Sequence, residues 1–118
     1  MEDGTPITEE KILRGLLSLF ILREICISRK YGYQLTKVIR EKTSLELPRG
    51  TIYVLLKNLQ KKGYIKPENI GNDITMKNRR VYNITEKGEE FIKSHYLPLR
   101  IARGLIEDIL STLDVKYG

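Results

Sequence analysis

The chain has one cysteine, one histidine and no tryptophan in 118 residues, and each shortage removes a class of protein. A single thiol, Cys26, rules out an internal disulfide framework. Lying in an apolar run, it reads as an inert buried residue. The lone His95 has no Cys or Asp spaced around it as metal ligands or as a nucleophilic triad, so it reads as a packing or surface residue. Gly32, Gly50 and Gly63 fall at the ends of predicted helices and match neither a Walker-type nor a dinucleotide-binding pattern. Glu89 and Glu90 adjoin a helix start, whose dipole accounts for them without an acid pair. Together these features argue against an enzyme, a metal site or a bound cofactor. Long hydrophobic runs are missing as well. The most apolar stretch, 12–27, is broken by Arg14, Arg23 and Glu24 and follows an acidic lead-in. That makes it a poor signal peptide and too polar for a membrane span, so the expected location is the cytoplasm, with no membrane partner.

What is present is ordinary in amount and uneven in placement. Hydrophobic residues make up 41% of the chain and charged residues 31%, which suits one globular domain with a modest core. The net charge is +6, and residues 29–80 carry thirteen Lys and Arg against four Asp and Glu, whereas the flanks carry eight against eleven. A phosphate backbone is the commonest partner of so concentrated a field. An anionic membrane or an acidic protein meets the same condition.

The segment from Leu47 to Gly63 organises the rest. Pro48 has the φ of a first helical turn and no N–H to lose there, and Ile52, Leu55, Leu56 and Leu59 recur on one helical face. Lys61 and Lys62 suit the negative end of the dipole, and Gly63 supplies the left-handed stop. The other face carries Arg49, Thr51, Tyr53, Lys57, Asn58 and Lys61 without a carboxylate. Roughly fifteen residues make a rod of about 22 Å, a fit to the DNA major groove; an ordinary solvated helix is the alternative.

Upstream, Thr8 can cap a first helix running to about Ser28, with Glu9 and Glu10 at its positive end. Its apolar residues cover well over half its circumference, so it is either central in the core or shared with a second subunit. Residues 29–33 form a break. A second helix spans about Gly32 to Lys42, with Leu35, Val38 and Ile39 inward, completing a helix-turn-helix arrangement. Downstream, residues 64–67 and 80–84 alternate as short strands around a polar loop, 68–79, edged by Lys77, Arg79 and Arg80. Following a recognition helix, such a hairpin is a wing, although a merely solvated loop reads similarly. Thr85 caps a last helix, which Pro98 should bend or divide near Leu97. Beyond it, Leu99, Ala102, Ile106, Ile109 and Leu113 form one stripe with Leu105 and Leu110 beside it. That surplus is accounted for by dimerisation against the first helix of a partner, through residues such as Leu13, Leu17 and Phe20, or by a monomeric four-helix packing.

Read together, Tyr31-Gly32-Tyr33, Gly50-Thr51-Ile52-Tyr53 with Leu55-Leu56 and Leu59, Lys62-Gly63-Tyr64-Ile65, Tyr82 and Thr85-Glu86-Lys87-Gly88 resemble the PadR family of transcriptional regulators. The resemblance covers roughly residues 12–92. It implies a dimeric winged helix that binds pseudo-palindromic operators and usually represses. It also implies that Tyr33, Thr51 and Tyr53 face the DNA, with Lys57 further along the helix, and that the final helix exchanges across the dimer. Some relatives respond to aromatic effectors; no effector site is assigned here.

The expected fold is mainly α with a small β-hairpin: a flexible terminus at 1–7, a winged helix-turn-helix at 8–93 and a dimerisation helix at 94–118. The expected function is a homodimeric regulator, a repressor, with double-stranded DNA as partner and its two third helices in major grooves about 34 Å apart. Arg49, Lys57 and Lys61 would meet phosphates or a purine, and Thr51, Tyr53 and Asn58 would orient or read base edges. The wing cations Lys77, Arg79 and Arg80 would add salt-sensitive affinity. The alternative is a winged-helix adaptor that docks an acidic protein.

Overall fold

Leu17, Ile21, Leu22 and Ile25 recur at helical spacing, and in the computed structural model they line the buried side of α1 (Lys11–Ile27). The structure describes residues 10–48, 50–69 and 80–118. After α1 come β1 (Lys30–Tyr31), α2 (Gly32–Thr43), α3 (Thr51–Lys61), β2 (Ile65–Asn69), β3 (Arg80–Ile84), α4 (Glu86–Ser94) and α5 (Tyr96–Tyr117). Leu35 and Ile39 of α2, Ile52, Leu55, Leu56 and Leu59 of α3, Ile65 of β2 and Tyr82 of β3 close the core against α1.

Several boundaries differ from the sequence reading. The N-cap of α1 is Glu10 rather than Thr8: its carboxylate accepts from Leu13 N at 3.0 Å. The expected break at 29–33 holds a short strand. β1 pairs antiparallel with β3, Lys30 opposite Tyr82 and Tyr31 opposite Val81. β2 pairs on the other side of β3, from Ile65 opposite Ile84 to Asn69 opposite Arg80. The sheet order β1-β3-β2 leaves Pro67 on an edge strand, where a missing N–H is tolerated. Cys26 is exposed rather than buried, because α1 turns Leu22 and Ile25 to the core and leaves this position outside their stripe.

Pro98 divides the last helix as expected, but at His95 rather than Leu97. A proline inside a helix clashes with the carbonyl four residues back. Interrupting the helix at His95 places Pro98 in the first turn of α5, where no N–H is required. His95 marks the junction with φ −95° and ψ 2°. Its Nδ1 lies 2.8 Å from the Phe91 carbonyl oxygen. Its ring is tilted against Phe91, with centroids 4.5 Å apart.

No residue of α5 is buried. Leu105 is 60% exposed and Ile109 57%, and Leu99, Ile106, Leu110 and Leu113 are exposed as well. The monomeric four-helix packing is therefore not adopted. The radius of gyration of 16.3 Å exceeds the about 13.5 Å of a compact chain of this length. On α1 the exposed large apolar residues are Ile12, Leu13 and Leu16 near its start and Ile27 at its end. Leu17 is buried in the subunit's own core, which corrects its expected place on a surface open to a partner, while Phe20 packs against that core and stays partly exposed.

Candidate nucleic-acid interface

The helix expected from Leu47 begins four residues later. Thr51 N donates to the Pro48 carbonyl at 3.1 Å, and Gly50, the N-cap, takes φ +94°. Only a residue without Cβ adopts that backbone without strain, so Pro48 shapes the turn ahead of α3 instead of opening the helix. The resulting rod of 11 residues is about 16 Å long, shorter than expected and still long enough to lie in a major groove. At the other end Gly63, at φ +81°, follows the expectation. Its N–H donates to the Gln60 carbonyl at 2.9 Å and Tyr64 N donates to that of Leu59 at 3.0 Å, the paired bonds of a Schellman stop.

Turning Ile52, Leu55, Leu56 and Leu59 inward exposes Tyr53, Val54, Lys57, Asn58, Gln60 and Lys61. Thr51 is not among them: at 7% exposure it belongs to the buried side. It stands one position before Ile52 in the first turn, where the helix is pressed onto the core. Val54 and Gln60 were missed on the outer face, although the same periodicity that buries Ile52 and Leu56 places them outward. Arg49 lies outside the described residues. Among the described residues neither Lys57 nor Lys61 has a carboxylate partner.

Helix α2 ends at Ser44, at φ 61°, where Thr43 Oγ1 donates to the Ile39 carbonyl at 2.7 Å and accepts from Leu45 N at 3.1 Å. At its start, Gln34 Oε1 accepts from Tyr31 N at 2.8 Å. Tyr33 is 64% exposed there and Tyr53 of α3 50% exposed. The Tyr53 ring lies against Gly32 in the first turn of α2, next in sequence to Tyr33. Lys37 and Arg40 are also exposed on α2.

Not every cation of the basic middle is available. Lys30 Nζ donates to the Glu24 carbonyl at 2.9 Å and to Ser28 Oγ at 3.0 Å, which ties β1 to the end of α1. Arg29 faces Glu68 at 3.7 Å. Of the expected wing residues, Arg80 is exposed at the start of β3, and Lys77 and Arg79 lie outside the described residues. The base of the hairpin is held firmly. Thr85 Oγ1 donates to the Gly63 carbonyl at 2.7 Å and accepts from Gly88 N at 3.0 Å, and Tyr64 stacks on Phe91 with centroids 4.2 Å apart. The segments 62–65 and 85–88 therefore meet one another, in a role that joins α3, hairpin and α4.

Among the described residues no three His, Cys, Asp or Glu side chains are grouped to hold a metal ion. No helix among them is long and apolar enough to cross a membrane. A basic helix-turn-helix followed by a hairpin, with its second helix exposed and acid-free outside, defines a winged-helix DNA-binding protein.

Comparison with known proteins narrows the class. The profile of the transcriptional regulator PadR-like family matches residues 21–94, and the chain belongs to that family, whose members are DNA-binding transcriptional regulators and not enzymes. It is similar to a transcriptional-regulator structure from Thermoplasma acidophilum, with 38% identity and TM-score 0.78 over 86% of this chain and 96% of that one. A PadR-like transcriptional regulator from Bacillus cereus shares 26% identity at TM-score 0.70, over 85% of this chain and 96% of that one. An uncharacterised protein of Lysinibacillus sphaericus is 31% identical over 83 residues, 69% of this chain and 75% of that protein.

Proposed function

We propose that the chain is a homodimeric repressor that binds a pseudo-palindromic operator, with residues 8–93 as its DNA-binding unit and 94–118 as its dimerisation helix. The observation that carries the DNA reading is the exposed face of α3, where Lys57 and Lys61 stand among Tyr53, Val54, Asn58 and Gln60 with no carboxylate. In a major groove the lysines meet phosphates or a guanine edge, Asn58 and Gln60 suit adenine, and the Val54 methyls suit the thymine methyl. Tyr33 and Tyr53 offer hydroxyls to the backbone. Arg49 and the wing cations Lys77, Arg79 and Arg80 extend the same positive field. Repression follows from occlusion of the operator, the sense the family resemblance favours.

The dimer is supported by the uncovered stripe of α5. Packing it on the exposed Ile12, Leu13 and Leu16 of a second copy removes two apolar surfaces from water together. Closed twofold symmetry then sets two copies of α3 on one side of a duplex, about 34 Å apart.

A fluorescence-anisotropy salt titration of the full chain on labelled duplex tests this reading. With six to ten phosphate contacts per dimer, affinity should fall by about three to five orders of magnitude between about 50 and 200 mM salt. Flat affinity over that range, or tight binding to an acidic protein with none to duplex, would contradict it.

A further inference from the structure

Gly32 opens α2 and is buried, although its backbone is not in the left-handed region. Backbone conformation therefore does not explain a glycine there. What stands opposite does: the ring of Tyr53, reaching across from α3. A Cβ on Gly32 would lie 2.6 Å from Tyr53 Cε1 and 2.9 Å from its Cζ and hydroxyl oxygen, distances real Cβ atoms essentially never show. Tyr53 is half exposed, and its tip rests on the first turn of α2, where Tyr33 is exposed and stacks with Tyr31 at 5.6 Å between centroids. Unlike Lys57, then, Tyr53 has its hydroxyl end parked at a fixed place between the two helices.

We infer that Gly32 is a positioning residue for DNA contact: its missing side chain is the berth that holds the Tyr53 ring against α2 and presents its hydroxyl to the duplex. A side chain ordered before binding loses less freedom on binding, so the berth raises affinity without itself touching DNA. The role rests on the DNA-binding reading above.

The test is Gly32→Ala. The atoms in its way are the far end of a flexible, half-exposed side chain, so the ring swings outward while the core stays closed. Alanine also restricts the unfolded chain. The thermal midpoint should therefore be unchanged or raised, and the Tyr53 ring resonances should shift in NMR spectra recorded without DNA. Affinity of the dimer for a duplex selected by the wild-type protein from a random pool should fall about a hundredfold, about tenfold for the hydrogen bond to a charged group lost in each subunit. In a Tyr53→Ala background the same substitution should cost nothing further. Equal loss in both backgrounds would overturn the role, as would full affinity with a displaced ring. Failure of Gly32→Ala to fold, whether or not Tyr53→Ala restores folding, would make the glycine a packing residue and overturn it too. A wild-type chain that binds no duplex would contradict the proposed function and this role with it. The ring shift, read without DNA, separates the two failures.

Discussion

Gly88 of α4 faces the carbonyl oxygen of Tyr64, in a contact a Cβ would violate, and its Cβ would also stand 2.9 Å from Ile84 Cγ1. At Gly32 the obstacle is a ring that can leave; at Gly88 it is backbone held by hydrogen bonds. The same substitution should therefore have opposite consequences. Gly88→Ala is expected to cost about 1–3 kcal/mol as an overpacked contact, read as a lower urea midpoint with an unchanged slope. Thr85→Ala removes both the cap on Gly88 N and the bond to the Gly63 carbonyl. Its expected cost is about 1–2 kcal/mol in the same measurement. Cap chemistry is local, so Thr85 was legible from its place before Glu86 and Glu89. That its hydroxyl also reaches Gly63, 22 residues away, was not, because no local pattern encodes that distance.

At the level of elements, α5 exposes its stripe while α3 buries its own, and this difference separates association from folding. Ile109→Asp should leave the subunit's thermal midpoint at high dilution nearly unchanged, because Ile109 is already exposed in the single chain. If α5 forms the proposed interface, the dimer dissociation constant should rise about a hundredfold or more, since a symmetric interface would lose two buried isoleucines worth about 1.5–3 kcal/mol apiece. Sedimentation velocity over a concentration series reads both species, and an unchanged association constant would exclude α5 from the interface. Helices α2 and α3 were legible because their apolar residues recur with a helical period, α1 from its long apolar run, and α4 from its cap at Thr85 and the acids behind it. The pieces that were not have equally physical causes. β1 is two residues long and pairs with a strand about fifty residues away, so nothing near Lys30 announces it. Pro48 suits both a first helical turn and the turn before a helix, so the sequence alone does not fix where α3 starts, and on the longer helix Thr51 faces outward.

For the molecule as a whole, the question is how a chain of 118 residues reads a duplex. A lone α3 of about 16 Å spans only part of one turn. In the proposed dimer, two copies coupled through α5 would double the contacts and align them with the helical repeat. The exposed lysines give this arrangement a quantitative signature. If Lys57 and Lys61 each meet a phosphate in both subunits, replacing either with Ala should reduce the slope of log affinity against log salt by about 2 per dimer. An unaltered slope would remove that residue from the backbone contacts. Selection of duplexes by the 118-residue chain from a random pool, followed by sequencing, bears on the whole arrangement at once. An enriched inverted repeat, with half-site centres about 10 base pairs apart, is the result expected of two subunits clasped through α5. A single motif without symmetry, or no enrichment at all, would contradict it.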